Sequence, residues 1–300
     1  MGNRLAWMKR DKLGAASLLL VLGTLLAGVC APLLAPHDPN EVHMELRFAE
    51  ASSTYWLGND HLGRCVLSRL IYGIRPSVLW VLGALGASVG IGAALGFISG
   101  YFRGRVDAMM MRVCDIMLSF PGYVMTLAVV GMLGAGLTNI LLAFVMMKWA
   151  WFARLIRTTV MVYADADYVR FARTLGAGHL RIMARHVAPV ALPEIAVLAS
   201  SSFGSMILQV SGLSFLGLGI QAPNAEWGMM LSEARSVMFS RPELMLAPGL
   251  AIMLVVGAVN FLSDSLQTAL DPKLLTARER KASVIGWGWL KTRQRKKEAA

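Results

Sequence analysis

The side chains best able to do chemistry in this 300-residue chain are few and scattered. His37, His43 and His61 share one segment with Asp60 nearby, and imidazole beside carboxylate would suit a borderline divalent metal. Their spacings match no recognised ligand pattern, so they are expected to be surface or capping histidines, and no metal site is assigned. Cys30, Cys65 and Cys114 stand apart, without a CxxC pair, and imply neither a zinc site nor a redox centre. The methionines, including Met109, Met110 and Met111 in a row, read as adaptable apolar filler. GxxxxGK(S/T), GxGxxG and HExxH are all missing. The chain is therefore not expected to be an enzyme or to hold a cofactor, and any energy input must come from a partner or an ion gradient.

The elements around these residues are long and oily. Of all residues, 56% are hydrophobic and only 16% charged, against roughly a quarter charged in an ordinary soluble domain. Uncharged runs extend over Gly14–Ala35, Pro76–Phe102, Ile116–Met147, Ile195–Ala225 and Leu244–Ser263. About 20 apolar residues cross a bilayer core. The third run is too long for one span and breaks at Gly131–Gly136, with a fourth helix continuing from about Leu137 into the Trp149–Phe152 region, Lys148 inside it and Arg154 and Arg157 at its end. Six crossings are expected in an all-α polytopic membrane protein. Gly86 and Gly90, then Gly92, Gly96 and Gly100, recur at intervals of four and are expected to let another helix approach closely. Pro121, Pro189, Pro193 and Pro248 should interrupt helical ladders.

Charge orients these crossings. With the N-terminus inside, segments 1–13, 103–112, 154–186 and 271–300 carry 22 of the 29 Lys and Arg residues. Short-loop Lys/Arg excess marks the cytoplasmic face, so both termini are expected there. The net charge of +11 needs no nucleic-acid partner, and the basic tail with Lys291, Arg293, Arg295, Lys296 and Lys297 reads as stop-transfer charge attracted to anionic lipid. The expected organisation is an N-terminal tail at 1–13, a transmembrane bundle at 14–270 with outer loops at 36–75 and 220–245 and an inner loop at 154–186, and a basic tail at 271–300. Asp115, Lys148, Glu194 and Asp264, near or within spans, should face protein or water.

The inner loop has the most informative local pattern. Asp165 or Asp167 can cap a helix, after which Tyr168, Phe171, Ala172 and Leu175 recur at i, i+3, i+4 and i+7. Gly176-Ala177-Gly178 then makes a corner. A short amphipathic helix and a turn are what a soluble partner could grip, or what could lie on the membrane surface.

These residues carry a resemblance. Trp56-Leu57-Gly58-Asn59-Asp60-His61-Leu62-Gly63-Arg64-Cys65 is similar to the WLGTDxxGRD stretch of permease subunits in the dipeptide, oligopeptide and nickel branch of ATP-binding-cassette (ABC) importers, with Asn59 in place of Thr and Cys65 in place of Asp. Arg170, Phe171, Ala172 and Gly176, closed by Pro189, occupy the family's Glu-Ala-Ala-x3-Gly coupling motif and keep its second Ala, its Gly and its Pro. Ser214-Phe215-Leu216-Gly217-Leu218-Gly219 and Ala225-Glu226-Trp227-Gly228, with Arg235 beyond, resemble the FLGLG and EWG segments. Lys148-Trp149-Ala150-Trp151-Phe152-Ala153-Arg154 and His61 look most similar to the nickel permeases.

The resemblance implies six helices of the type I ABC importer permease fold in a bacterial inner membrane. It also implies a second homologous permease, two ATPase subunits that hold ATP and Mg, and an external substrate-binding protein. Asp167, Tyr168, Phe171, Ala172, Leu175 and Gly176 would couple to the ATPase. Trp56, Gly58, Asp60, His61, Gly63 and Arg64, with Glu226, Trp227, Gly228 and Arg235, would form outer motifs that meet the binding protein or the sister subunit. The implied cargo is nickel or a metal–chelator complex, with dipeptides or oligopeptides as the alternative. A proton-coupled secondary transporter is the alternative of another class.

Overall fold

The structure, a computed structural model, describes residues 11–270; the basic tail and most of the N-terminal tail lie outside them. The first apolar run forms α1 (Lys12–Val29), whose opening turn is capped by Asp11 Oδ1 accepting from the Gly14 amide at 3.1 Å. The second forms α2 (Val66–Phe102). It begins inside the segment expected as the 36–75 loop, because a wide π-type turn at Arg75–Leu79 carries the helix past Pro76, whose ring and missing N–H would break a regular ladder.

A bent pair follows, α3 (Gly104–Leu118) and α4 (Gly122–Leu133), meeting at 77°. Pro121 excludes the helical conformation from the residue before it, which accounts for the break. α5 (Leu137–Ala164) is one continuous helix, so it runs on past the expected end at Arg154 and Arg157. Arg154 and Arg157 do not terminate it, since Asp115 and Asp107 on α3 pair with them side by side. A short α6 (Asp167–Thr174) leads to α7 (His179–Phe215), α8 (Trp227–Ala234) and α9 (Glu243–Leu270). Among the described residues, five helices are long and apolar enough to cross a membrane, and the bent pair counted as one broken span makes six.

α5 is the centre of the bundle, touching α2, α3, α4 and α7, while α9 packs on α1 and α7. Ile140, Phe152, Ile156 and Val160 of α5 are fully buried in one core with Val78 and Val81 of α2. Large apolar side chains such as Leu19, Met132 and Met253 point outward, as they should where the solvent is lipid. The glycines of α2 divide into two sets. A Cβ on Gly92, Gly96 or Gly100 would press into α5, whereas one on Gly86 or Gly90 would meet nothing within 4 Å. Of the span-associated charges, Asp115 faces Arg154 and Glu194 accepts from the Tyr163 hydroxyl, while Asp264 is exposed.

A coupling helix and a buried loop clamp

The two ends of α2 carry the two candidate sites. At its Phe102 end lies α6, the predicted coupling helix. Its N-cap is Ala166 with no side-chain cap; Asp165 is instead drawn to Arg103 at 2.6 Å, whose guanidinium holds the Asp165 carboxyl below its usual range, and Asp167 sits in the first turn. The expected apolar stripe splits in two. Val169 and Ala172 are buried in the core, whereas Tyr168, Phe171 and Leu175 are 45%, 65% and 71% exposed. Residues three and four apart share a helix face, but only one edge of this face finds a partner within the chain.

Gly176 ends the helix at φ +78°, with its amide bonded to the Arg173 carbonyl at 3.0 Å and the Ala177 amide to the Ala172 carbonyl at 3.1 Å. This is the Schellman motif, which favours glycine at the left-handed residue. The FLGLG segment closes α7 in the same way: Gly217 bonds Ser214 and Leu218 bonds Leu213. Gly176→Ala should cost about 1 kcal/mol at this stop, read as roughly five-fold faster hydrogen exchange of the Gly176 and Ala177 amides. Unchanged exchange would argue that the turn does not need glycine.

The coupling segment is tied to the corner between α2 and α3. Arg103 donates to the Met161 carbonyl at 3.0 Å as well as to Asp165. The Tyr101 hydroxyl lies 3.0 Å from His179 Nδ1, and Arg173 stands 5.1 Å above the Tyr101 ring.

At the Val66 end, the two expected outer motifs meet each other. Arg64, whose side chain has no exposure, donates through Nε to Asp60 Oδ2 at 2.6 Å and through Nη2 to Glu233 Oε2 at 2.9 Å. Arg69 reaches the same Glu233 oxygen at 2.9 Å and also donates to the carbonyls of Pro223 and Pro39. Asp60 additionally accepts from the Leu62 and Arg64 amides. Gly63, at φ +76°, sits where a Cβ would fall 1.8 Å from the His43 carbonyl oxygen, and Gly58 lies against the Ala49 carbonyl.

Glu226 caps α8, accepting from the Gly228 and Met229 amides and from Ser77 of α2. Burial pushes its carboxyl up, and those donors oppose the shift. Trp227 donates to the Leu70 carbonyl at 3.0 Å, and Gly228 lets α8 approach the Ser211 carbonyl of α7.

Asp60, Arg64, Glu226, Trp227 and Gly228 are thus turned into the chain, and Trp56, 71% exposed, and Arg235 are left at its surface. Sequence reasoning passed over Arg69 and Glu233. The available signal was two arginines five residues apart in a segment otherwise poor in basic residues, which calls for buried acids nearby.

The histidines separate. His37 stacks on Tyr55 with ring centroids 4.5 Å apart, and His43 lies 3.3 Å from Glu41. His61 joins Asp60 and Glu233 in a group whose ligand atoms lie within 4.8 Å of one another. Both carboxylates already face Arg64 or Arg69, so a cation placed there would meet two guanidinium groups.

An all-α polytopic bundle with a short helix exposed between two spans is the architecture that the permease resemblance implies. Residues 92–276 match the family described as the binding-protein-dependent transport system inner membrane component, and the chain belongs to that family. It is 52% identical to the metal-staphylopine import system permease protein CntC of Staphylococcus aureus, over 88% of this chain and 92% of that protein. The nickel transport system permease protein NikC of Escherichia coli is 38% identical over 87% and 94%. The dipeptide transport system permease protein DppC of Alkalihalophilus pseudofirmus is 37% identical over 89% and 88%. The chain is therefore a multi-pass ABC importer permease, and this membership displaces the proton-coupled secondary transporter.

Proposed function

We propose that this chain is one of two permease subunits of an ATP-driven importer that carries a metal ion held by a small chelator. Separate ATPase subunits bind ATP and Mg and dock on the exposed Asp167, Tyr168, Phe171 and Leu175, which the buried Ala172 and the turn at Gly176 hold in place. An external binding protein delivers cargo at the opposite end, where Trp56 and Arg235 are exposed. Both termini lie in the cytoplasm, in keeping with the inner bias of Lys and Arg, and no nucleic acid takes part. The single observation that carries this reading is the exposed trio Tyr168, Phe171 and Leu175 on a helix whose other edge is packed. The identity to the staphylopine and nickel permeases supports a metal cargo, and the identity to the dipeptide permease keeps peptides as the second reading.

Phe171→Asp removes an aromatic anchor whose burial is worth about 2–3 kcal/mol, so ATPase affinity should fall about 30- to 150-fold while the permease stays in the membrane. Co-purification of the ATPase at the wild-type level would sink the docking role. For cargo, a deletion strain should lose uptake of labelled nickel supplied with its chelator and keep uptake of a labelled dipeptide; the reverse result selects the peptide reading.

A further inference from the structure

α5 holds three cations, and two of them have acids. Arg154 pairs with Asp115 and Arg157 with Asp107. Lys148 makes no hydrogen bond or ion pair among the described residues. It lies about 16 Å along the axis from Leu137 and about 24 Å from Ala164 at 1.5 Å per residue, which places it well inside a hydrocarbon core about 30 Å thick. On its face of the helix Phe144 and Phe152, one turn away on either side, are buried, but Lys148 itself and Leu141, Val145 and Leu155 are only part-buried and Trp151 is exposed, so the ammonium is not enclosed by this chain. Lipid accommodates an ammonium at that depth poorly without a polar partner, so the uncovered part of Lys148 must face a hydrated path or an acid from outside this chain.

Charge then selects among cargoes. A bare divalent cation would be repelled by the ammonium, whereas a carboxylate would gain from it in a low-dielectric passage. Resting on the importer reading above, we propose that Lys148 lines the translocation path and contacts a carboxylate of the cargo, so that the species in transit is a carboxylate-bearing molecule and not a hydrated metal ion. A polycarboxylate metal chelate and a peptide with a free C-terminus share that chemistry.

The test uses the whole importer, both permeases with ATPase and binding protein, in proteoliposomes. The labelled probes are nickel nitrilotriacetate, hydrated nickel, and alanyl-alanine. Lys148→Met should cut uptake of the carboxylate-bearing cargo at least ten-fold with both partner subunits still co-purifying, and Lys148→Arg should keep at least a third of it. Wild-type uptake by Lys148→Met overturns the inference, as does wild-type transport of hydrated nickel alone. Loss of the second permease from purified Lys148→Met, with its retention by Lys148→Arg, also overturns it, because Lys148 would then pair with an acid of the sister subunit. Wild-type uptake of alanyl-alanine but of neither nickel probe sinks the metal–chelator reading, and Lys148 keeps its role if Lys148→Met still abolishes that uptake.

Discussion

Gly96→Val should remove most of the folded permease from the membrane. A Cβ at Gly96 would stand 2.8 Å from the Ala153 carbonyl oxygen and 3.0 Å from Ile156 Cβ, and the same seam continues at Gly92 and Gly100, where it would meet Phe152 Cβ at 2.5 Å and the Arg157 carbonyl oxygen at 2.7 Å. The obstructing atoms are mostly backbone and Cβ atoms of α5, which cannot swing aside as the end of a long side chain can. The two helices would have to separate along their whole contact. Overpacking of this kind costs about 1–3 kcal/mol and occasionally more, and between membrane helices no hydrophobic drive restores the association.

The comparison is Gly86→Ala on the same helix, where nothing lies within 4 Å and the change should be neutral or favourable by up to about 1 kcal/mol. Membrane abundance and the melting temperature of the purified subunit read both variants. Equal abundance for the two would show that α2 and α5 are not held at the spacing described.

Glu233→Ala should be the most damaging change at the other end. One carboxylate oxygen of Glu233 holds both Arg64 and Arg69 at 2.9 Å, and Arg64 has no exposed side-chain surface. Removing that acid leaves Asp60 to balance two buried guanidinium groups. Breaking one side of a buried pair costs about 3–5 kcal/mol, and at about 2–4 °C per kcal/mol the melting temperature should fall on the order of 10 °C. The segment before α2 should become sensitive to protease, since Arg69 also ties Pro39 to Pro223. Glu233→Gln, which can accept from one arginine, should lie between the two. A Glu233→Ala protein that melts with the wild type would mean that the clamp adds nothing.

The crossings, the short helix α6 and the family motifs were legible because each is a local pattern: an uncharged run, a helical periodicity, or a string of adjacent residues. The faces were not. Tyr168, Phe171, Ala172 and Leu175 share one periodic stripe, yet only the core decides that Ala172 turns inward. Arg154 and Arg157 read as the end of a span until Asp115 and Asp107 are seen beside them. The clamp was hidden for a stronger reason, since Arg64 and Glu233 are 169 residues apart in the chain and no local signal joins them.

The coupling motif also explains its own history. Its Glu and first Ala are replaced here by Arg170 and Phe171, and both positions are exposed; the second Ala and the Gly are kept, one as the buried Ala172 and the other as the left-handed Gly176. Divergence has followed the division between surface and scaffold. Positions 170, 171 and 175 are exposed and Tyr168 is tied to this chain only by its hydroxyl on the His186 carbonyl, while Val169, Ala172 and Gly176 are constrained by the fold. With the ATPase docked as proposed, an importer lineage could exchange its motor's contacts without rebuilding the helix that presents them.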